Sequence, residues 1–231
     1  MSLTLRRLIG DHRIAITMSD RSDGDMAPAS DGVDVRRRTL LGSARRWSWM
    51  RQVHGSTVHL VGPEHEQCLG LEGDGLVCSV GPDMGVLSIQ TADCAPVVIH
   101  GVAEVAVVHA GWKGLEADVV GVAVESIRNA GDSARLRAVL GPCIRVDQYE
   151  FGAEDLARLV DQFGPAVAGT TAWGTPGLDM KAAVVSSLKR HGVSIGFDVN
   201  RCTAADTRYF SHRARGDRER MTTAVRWDGD R

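Results

Sequence analysis

The 231-residue sequence has few cysteines, and none of them forms a Cys-x-x-Cys pair. Their odd number argues against a disulfide framework, and the missing pair argues against a zinc ribbon. Any metal site must therefore be assembled from residues that are distant in the sequence. The five cysteines are Cys68, Cys78, Cys94, Cys143 and Cys202.

The sequence also lacks a long block of charges of one sign and a long apolar run. A formal net charge of −2 at pH 7 gives no overall basic field for nucleic acid. No stretch reaches the ~18 apolar residues that a membrane span needs, and the N-terminus lacks the apolar core of a signal peptide. We therefore expect a cytoplasmic protein that binds neither nucleic acid nor a membrane, and both a monomer and a homodimer stay open.

The residues that are present predict a single mixed α+β domain over residues 1–231. Short apolar or alternating segments predict strands, and longer segments with helical spacing that close on glycine predict helices. The predicted strands neighbour one another in sequence, which favours a layered α+β arrangement over a doubly wound fold. The predicted strands are 13–17, 56–61, 85–90, 95–100, 104–110, 136–141 and 193–199, and the predicted helices are 33–42, 114–131, 153–164 and 178–192.

The cysteine in QTADCAP, Cys94, stands at the predicted start of a strand. The two strands joined by HGVA must form an antiparallel hairpin, because the connection is short. Pairing His100 with Glu104 puts residue 95 opposite His109, so that Cys94 and His109 lie within one step of register. A thiolate and an imidazole at that separation can share a proton or a metal ion.

Two interpretations of this pair stay open: a buried thiol beside a core histidine, or a functional site. Asp93 favours the second, because its carboxylate can orient a polar neighbour. The chain also turns at Gly111 from a strand into a predicted helix, whose first backbone N–H groups suit an anion. The best local context for a third partner is QVHG, where His54 precedes a glycine at the entry to a strand.

Several segments, taken in order, resemble the YfiH/YlmD family. That family is variously labelled laccase-like polyphenol oxidoreductase, purine nucleoside phosphorylase and peptidoglycan editing factor. The combination of QVHG, TADC and HAGW is quite specific to it, and the resemblance covers about residues 50–225. The matching segments are RQVHG (51–55), residues 74–100, VAVVHAGWKGL (105–115), LGPCI (140–144), YEFG (149–152) and CTAADTRYFSHRA (202–214).

The resemblance implies a zinc ion held by His54, Cys94 and His109, which with Asp93 are the candidate catalytic residues. It further implies a layered α/β sandwich with mixed sheets, a YfiH-like fold of the cysteine-hydrolase type, with a deep pocket beside the metal. The implied reactions are phosphorolysis of adenosine, inosine and methylthioadenosine, and deamination of adenosine. Arg213 matches the arginine of the family's F-S-x-R segment and is a predicted phosphate or substrate contact.

The N-terminal region departs from the family pattern. Family members carry a longer segment of the type T-x-R-x-G-G followed by a Ser-Leu-Asn stretch, whereas only SDRSDGD (19–25) is recognisable here. Arg21 is matched to the family arginine and is a candidate substrate contact. Residues 19–32 are rich in Asp, Ser, Gly and Pro and predict an exposed loop.

The predicted ligand set and its surroundings permit two reactions. A Cys/His/His set with an open fourth position suits Zn²⁺, and a water bound there has its pKa lowered to ~7 for attack on C6 of a purine. For phosphorolysis, Arg213 and the helix start at Trp112 to Leu115 can hold phosphate. Trp112 or Tyr149 stacks on the base or simply packs in the core, and Asp93 is a proton donor or a ligand orienter.

Other functions use the same residues. Multicopper oxidases need paired His-x-His motifs, and the eight histidines form none, although a single Cu²⁺ at a Cys/His/His site stays open. A metal-free hydrolase, with Cys94 as nucleophile and His109 as base, would act on an amide such as a peptidoglycan precursor. A non-catalytic zinc or nucleotide-binding module is the third possibility.

Overall fold

Two six-stranded sheets form the centre of the structure, a computed structural model that describes residues 2–42, 46–62 and 67–230. In chain order the strands are β1 (Leu3–Ile9), β2 (His12–Met18), β3 (Trp47–Arg51), β4 (Val58–Leu60), β5 (Leu69–Glu72), β6 (Gly75–Ser79), β7 (Val86–Thr91), β8 (Ala95–His100), β9 (Glu104–Ala110), β10 (Arg137–Leu140), β11 (Ala168–Thr170), β12 (Pro176–Leu178), β13 (Ser194–Asp198) and β14 (Met221–Asp230).

Both large sheets mix parallel and antiparallel pairs. The first has the strand order β1-β2-β14-β7-β3-β5, and the second has β13-β10-β8-β9-β6-β4. Strands β11 and β12 form a separate hairpin. The layered α+β class with mixed sheets, which the sequence predicted, is confirmed.

The described residues form six α-helices, several of which pack on the second sheet. They are α1 (Val33–Leu41), α2 (Trp112–Glu116), α3 (Val119–Asn129), α4 (Ala153–Phe163), α5 (Met180–Arg190) and α6 (His212–Arg215). The predicted helices 33–42, 153–164 and 178–192 and all seven predicted strands are confirmed within a few residues. No helix in the described part of the chain is long and apolar enough to cross a membrane.

Strands β8 and β9 are buried on both faces. Val97 and Val108 point into the apolar cluster shared with α3, α4 and α5. Val98 and Val107 point into the cluster between the two sheets, because successive side chains of a strand alternate between faces. Burial on both faces explains why these strands are nearly continuous apolar runs in the sequence.

The predicted register of the β8–β9 hairpin is wrong by one residue. The structure pairs Pro96, not residue 95, with His109. In the predicted register Cys94 and His109 would project from opposite faces of the sheet. In the observed register they are diagonal neighbours on the face that looks toward the first sheet, so their side chains can meet.

A distant carboxylate accounts for this register. The hairpin turn has four residues after His100, and Oδ2 of Asp132 accepts hydrogen bonds from three of its backbone N–H groups, those of Val102, Ala103 and Glu104, at 2.6, 2.7 and 3.1 Å. Asp132 is 2% exposed. The turn is therefore held by a residue from a separate segment of the chain, which local turn rules do not reveal.

The predicted helix 114–131 is two helices, α2 and α3. Asp118 separates them with a left-handed backbone (φ 62°), and its Oδ1 lies 2.8 Å from Nε2 of His191. The apolar spacing continues across the break, which is why the sequence predicts one helix.

The expectation that residues 19–32 form an exposed loop is wrong for part of the segment. Ser19, Asp20 and Met26 are each at most 5% exposed. The Ser19 N–H donates a hydrogen bond to the carbonyl of Thr222 at 2.9 Å, which ties the loop to β14. The polar composition of the segment reflects these turn contacts and not full solvation.

Candidate metal centre and cavity

Three side chains from separate elements converge at the same end of the two sheets. His54 follows β3 and is exposed, Cys94 precedes β8 and is half-buried, and His109 lies in β9 and is 3% exposed. Their ligand atoms all lie within 4.8 Å of one another, and Sγ of Cys94 is 3.7 Å from Nε2 of His54. The structure thus brings together the three residues that the sequence and the family resemblance named.

A fully buried carboxylate, Asp74, holds the two histidines in place. Its Oδ1 accepts a hydrogen bond from Nδ1 of His109 at 2.8 Å and one from the backbone N–H of His54 at 3.0 Å. Its Oδ2 accepts from the Gly55 N–H at 2.7 Å. Since Nδ1 of His109 is occupied, its Nε2 is the atom left to face Cys94.

Asp74 was not among the site residues predicted from the sequence. It stands between two glycines directly before β6, where an aspartate is ordinarily part of a turn. Burial alone would raise its pKa, but hydrogen bonds from His109 and from backbone N–H groups lower it. The carboxylate therefore stays ionised and fixes the tautomer of the imidazole, the arrangement seen around metal-ligating histidines.

Gln52, the first residue of QVHG, anchors the segment that carries His54. Its Nε2 donates to the carbonyl of Gln90 at 2.7 Å, and its Oε1 accepts from the N–H of Gln90 at 2.7 Å. This paired contact joins the segment to β7. His54 itself has a left-handed backbone (φ 59°). Histidine, like asparagine and aspartate, adopts this conformation more often than most residues, so the backbone strain is modest.

Cys94 and His109 each shift the pKa of the other. Burial alone would raise the pKa of the Cys94 thiol, but the charge of His109 and hydrogen bonds from His109 and His54 lower it below its ordinary value. Conversely, burial would lower the pKa of His109, but the charge of Cys94 and the hydrogen bond to Asp74 raise it. Without a metal ion, both shifts favour a thiolate beside an imidazolium.

The three residues line a cavity of about 450 Å³. Four further predicted site residues line it: Asp93, Trp112, Tyr149 and Arg213. The rest of the lining was not predicted, because no local pattern marks these residues as facing a cavity. The remaining lining residues are Pro28, Met50, Gln52, Gln90, Thr91, Ala92, His212 and Arg220.

One wall of the cavity is aromatic and carries a guanidinium. Cζ of Arg213 lies 4.9 Å from the ring centroid of Tyr149. The ring of Phe151 makes edge-on contacts with both Tyr149 and Trp112, at 5.5 and 5.2 Å between centroids. Burial raises the pKa of Tyr149 to about 12, so its hydroxyl is neutral at physiological pH. The wall therefore offers a flat apolar surface beside a fixed positive charge.

Asp93 joins the TADC turn to the C-terminal part of the chain. Its backbone is left-handed (φ 102°), and the residue is 7% exposed. Oδ1 accepts a hydrogen bond from the Thr203 hydroxyl at 2.6 Å, and Oδ2 accepts from the backbone N–H of Arg213 at 2.8 Å. Both oxygens of Asp93 are thus engaged in holding the segment that presents Arg213.

The structure does not bring Arg21 to the cavity. Its guanidinium donates to Oδ2 of Asp217 at 2.6 Å and lies 4.5 Å from the ring centroid of Phe210. Asp217 in turn accepts the Ser211 N–H at 2.8 Å. Arg21 therefore supports the turn that precedes α6, on which Arg213 lies.

The predicted anion site at Trp112 to Leu115 is weaker than expected. Helix α2 is only five residues long, so it has little aligned dipole. The N–H of Leu115 is already bonded to the carbonyl of Gly111 at 2.9 Å. Lys113 is exposed, and its ammonium lies 5.4 Å from the Trp112 ring centroid.

Fold and site together define a class: a mixed α+β protein with a Cys/His/His group that could hold a metal ion in the wall of a cavity. A family model described as "Multi-copper polyphenol oxidoreductase laccase" matches residues 24–228. The chain belongs to this family, the YfiH/YlmD family. Arg21 lies just outside the matched residues, in line with the divergent N-terminal segment.

Relatives and solved structures agree with this assignment. A protein of Mycobacterium tuberculosis named purine nucleoside phosphorylase is 39% identical over 77% of this chain and 70% of its own. One of Streptomyces coelicolor with the same name is 35% identical over 91% of this chain and 82% of its own. The crystal structure of the hypothetical protein YfiH of Bacillus licheniformis has a TM-score of 0.80 at 20% identity, covering 96% of this chain and 99% of that one. YlmD of Geobacillus stearothermophilus has a TM-score of 0.74 at 22% identity, covering 96% and 93%.

Proposed function

We propose that this protein is an enzyme that cleaves purine nucleosides with phosphate, using a zinc ion held by His54, Cys94 and His109. The observation that carries the proposal is that this ligand set lies in the wall of the same cavity as Arg213 and Tyr149. The names of the relatives from Mycobacterium tuberculosis and Streptomyces coelicolor support the same activity.

The three donors fit a zinc ion. Nitrogen and sulfur ligands of one tetrahedral zinc lie roughly 3.3–3.8 Å apart, and Cys94 Sγ and His54 Nε2 are separated by 3.7 Å. The lowered pKa of Cys94 supplies the thiolate that metal binding requires. When bound, zinc would supply Lewis acidity at the cavity wall. A single copper ion is the alternative occupant, since Cu²⁺ binds most N/S sites more tightly than Zn²⁺.

In phosphorolysis a bond forms between a phosphate oxygen and C1′ of the ribose, while the C1′–N9 bond breaks and the purine departs with the electron pair. Arg213 and Arg220 reach the cavity and attract the phosphate. The faces of Tyr149 and Trp112 receive the purine. Asp93 acts as the orienter of Arg213 and not as a proton donor, because both of its oxygens already accept hydrogen bonds.

We include in the proposal the substrates that the family resemblance implies: adenosine, inosine and methylthioadenosine, with deamination of adenosine as a second reaction in the same cavity. The proposal treats residues 1–231 as one domain acting in the cytoplasm. One domain is reasonable because β14, near the end of the chain, is inserted between β2 and β7. The cysteine-hydrolase type of the fold and the choice between monomer and homodimer stay predictions.

Metal content and product analysis test the proposal together. Wild-type protein and Cys94→Ser are purified without added metal, and adenosine turnover is followed with and without phosphate. We expect about one zinc per wild-type chain, release of adenine that depends on phosphate, and loss of both in Cys94→Ser. Inosine and ammonia formed without phosphate would report the deaminase reaction.

The matched control is Cys202→Ser, which changes a half-buried thiol outside the cavity lining. It should keep the zinc and the activity. Absence of both metal and turnover from a well-folded wild type would contradict the proposal.

A second candidate function rests on the thiolate and imidazolium formed by Cys94 and His109. In a metal-free amide hydrolase acting on a peptidoglycan precursor, Cys94 would be the nucleophile and His109 the base that has taken its proton. Activity that survives removal of metal and is abolished by alkylation of Cys94 would favour it. Unfolding of Cys94→Ser would instead favour a structural zinc or nucleotide-binding module.

A further inference from the structure

Two of the free cysteines face each other outside the cavity. Cys143 and Cys202 are partners in an isolated parallel bridge, which continues the pairing of β10 with β13. The Cys143 N–H donates to the carbonyl of Arg201 at 3.3 Å, and the Thr203 N–H donates to the carbonyl of Cys143 at 3.2 Å. These two hydrogen bonds flank Cys202 and place it directly opposite Cys143.

The pairing brings the two side chains to the same side. Neighbouring strands lie about 4.7–4.9 Å apart, inside the range of roughly 4.4–6.8 Å between the Cα atoms of a disulfide. Both side chains contact the same apolar cluster beneath the second sheet. Cys143 is 3% exposed, whereas Cys202 is half-buried and is therefore the more accessible of the two residues.

We propose that Cys143 and Cys202 form a redox-active dithiol that a hydroperoxide converts to a disulfide. The inference does not depend on the proposed nucleoside reaction. Neither cysteine lines the cavity or belongs to the candidate metal site.

The reaction has two steps, and the exposure of the two thiols sets their order. Cys202 releases its thiol proton, the thiolate attacks one oxygen of hydrogen peroxide, and the O–O bond breaks. The departing hydroxide takes up the released proton as water, and Cys202 is left as a sulfenic acid. Cys143 sulfur then attacks Cys202 sulfur, and the S–O bond breaks. The hydroxyl leaves with the Cys143 proton as a second water, so two thiols are oxidised and one peroxide is reduced. Burial raises the pKa of Cys143 to about 12, so Cys143 stays a thiol and is not the residue that the peroxide oxidises first.

The disulfide would join the two segments that hold Asp93. Ile144, next to Cys143, donates its N–H to the Asp93 carbonyl at 2.9 Å. Thr203, next to Cys202, donates its hydroxyl to the Asp93 carboxylate. Oxidation therefore acts on the support of the TADC turn while leaving the candidate metal ligands unchanged.

Peptide mapping tests the proposal on the wild-type chain. The protein is treated with a small excess of hydrogen peroxide, free thiols are blocked with N-ethylmaleimide, and the monomer band of a non-reducing gel is digested with trypsin. Cleavage after arginine gives the peptides Ala138–Arg145 and Cys202–Arg208, each with one cysteine, while Cys68, Cys78 and Cys94 remain together in another peptide.

We expect the two short peptides to appear joined, with two hydrogens lost, and to separate on treatment with dithiothreitol. Cys202→Ser and Cys143→Ala should each abolish the joined species and leave the other thiol open to labelling. Recovery of both peptides as separate maleimide adducts from peroxide-treated wild type would overturn the proposal. Oxidation of Cys202 to a sulfinic acid without any joined peptide would overturn it too.

Discussion

The carboxylate of Asp74 accepts the Nδ1 proton of His109 and, from the same buried position, the backbone N–H groups of His54 and Gly55. One residue outside the ligand set therefore fixes both histidines. His109 is fixed through its ring and His54 through its backbone. The candidate metal centre is built around a carboxylate that does not itself lie among its three ligands.

Asp74→Asn should weaken zinc binding. An asparagine oxygen carries no charge to stabilise the His109 ring, and its amide nitrogen cannot accept the backbone N–H groups that the carboxylate now accepts. Removing such a partner from a metal-ligating histidine typically costs 10–100-fold in metal affinity or activity. We expect a loss of that size in zinc affinity, measured by competition with a chromogenic chelator on protein shown to be folded.

Asp118→Asn is the matched control for that substitution. Asp118 makes the same kind of contact, with Nε2 of His191 at 2.8 Å, but neither residue lines the cavity. Zinc affinity should be unchanged in this variant. Equal losses in the two variants would show that Asp74 acts through overall stability and not through the histidines.

The meeting of Cys94 and His109 was predictable only in part. The two apolar runs fixed the bounds of β8 and β9, and the short connection fixed their antiparallel pairing. The register was predicted one residue off, because it depends on the hydrogen bonds of Asp132 to the turn. A carboxylate from another segment leaves no signal in the local sequence.

Other features could not be predicted from local sequence patterns, for the same reason. β14 has threonines on buried positions, which hydrogen-bond within the sheet, as Thr222 does to the Ile89 carbonyl at 3.1 Å. Its place between β2 and β7 is set by long-range pairing. Asp74 resembles an ordinary turn residue until β6 and β9 are paired. Local context made His54 the best candidate for the third partner, and the family resemblance supplied its role as a ligand, which the hairpin argument could not.

Gly111→Ala should disrupt the candidate metal centre. Its backbone (φ −80°, ψ 163°) suits any residue, so the cost is steric. An added Cβ would lie 2.6 Å from Cδ2 of His54 and 3.2 Å from Sγ of Cys94. Displacement of a ligand by about 1 Å can cost on the order of 10²-fold in activity. Zinc content and adenosine turnover should both fall.

The control for the added methyl group is Gly81→Ala, where a Cβ would meet nothing within 4 Å. It should match the wild type in zinc content and turnover. If Gly111→Ala also kept its full zinc content, His54 would not be a ligand at the position the structure gives it.

The reactivity of Cys94 in metal-free protein should depend on pH in a defined direction. Although burial would raise its pKa, the charge of His109 holds the pKa below the ordinary value. The thiolate is thus already formed near neutral pH and is lost only as the pH falls through the lowered pKa. We expect the iodoacetamide rate of Cys94 to reach its plateau below pH ~8.5, the ordinary pKa of a cysteine.

Replacing the imidazole of His109 tests whether its charge lowers the pKa of Cys94. In His109→Gln the midpoint of the rate profile should move up toward or beyond pH ~8.5. The measurement is made by mass spectrometry in a Cys202→Ser background, which removes the other half-buried thiol. An unchanged midpoint would mean that His109 does not carry the charge that lowers the pKa of Cys94. In the parent protein, added zinc should suppress the alkylation of Cys94 only if Cys94 is a ligand.

Asp132→Asn should destabilise the fold in a way that depends on pH. Burial alone would raise the pKa of this carboxyl, but its hydrogen bonds from backbone N–H groups lower it. A lowered folded-state pKa means that the stabilisation is fully present above the unfolded value of ~3.9 and is lost as the pH falls through the folded value. We expect a loss of roughly 1–3 kcal/mol in the free energy of unfolding at pH 7, measured by urea denaturation. The difference in the free energy of unfolding between variant and wild type should shrink in acid.

The control is Asp31→Asn, which changes an exposed aspartate and gives the baseline at both pH values. A loss that is the same at pH 7 and in acid would show that the shape of the side chain, and not its charge, holds the turn that sets the register of Cys94 and His109.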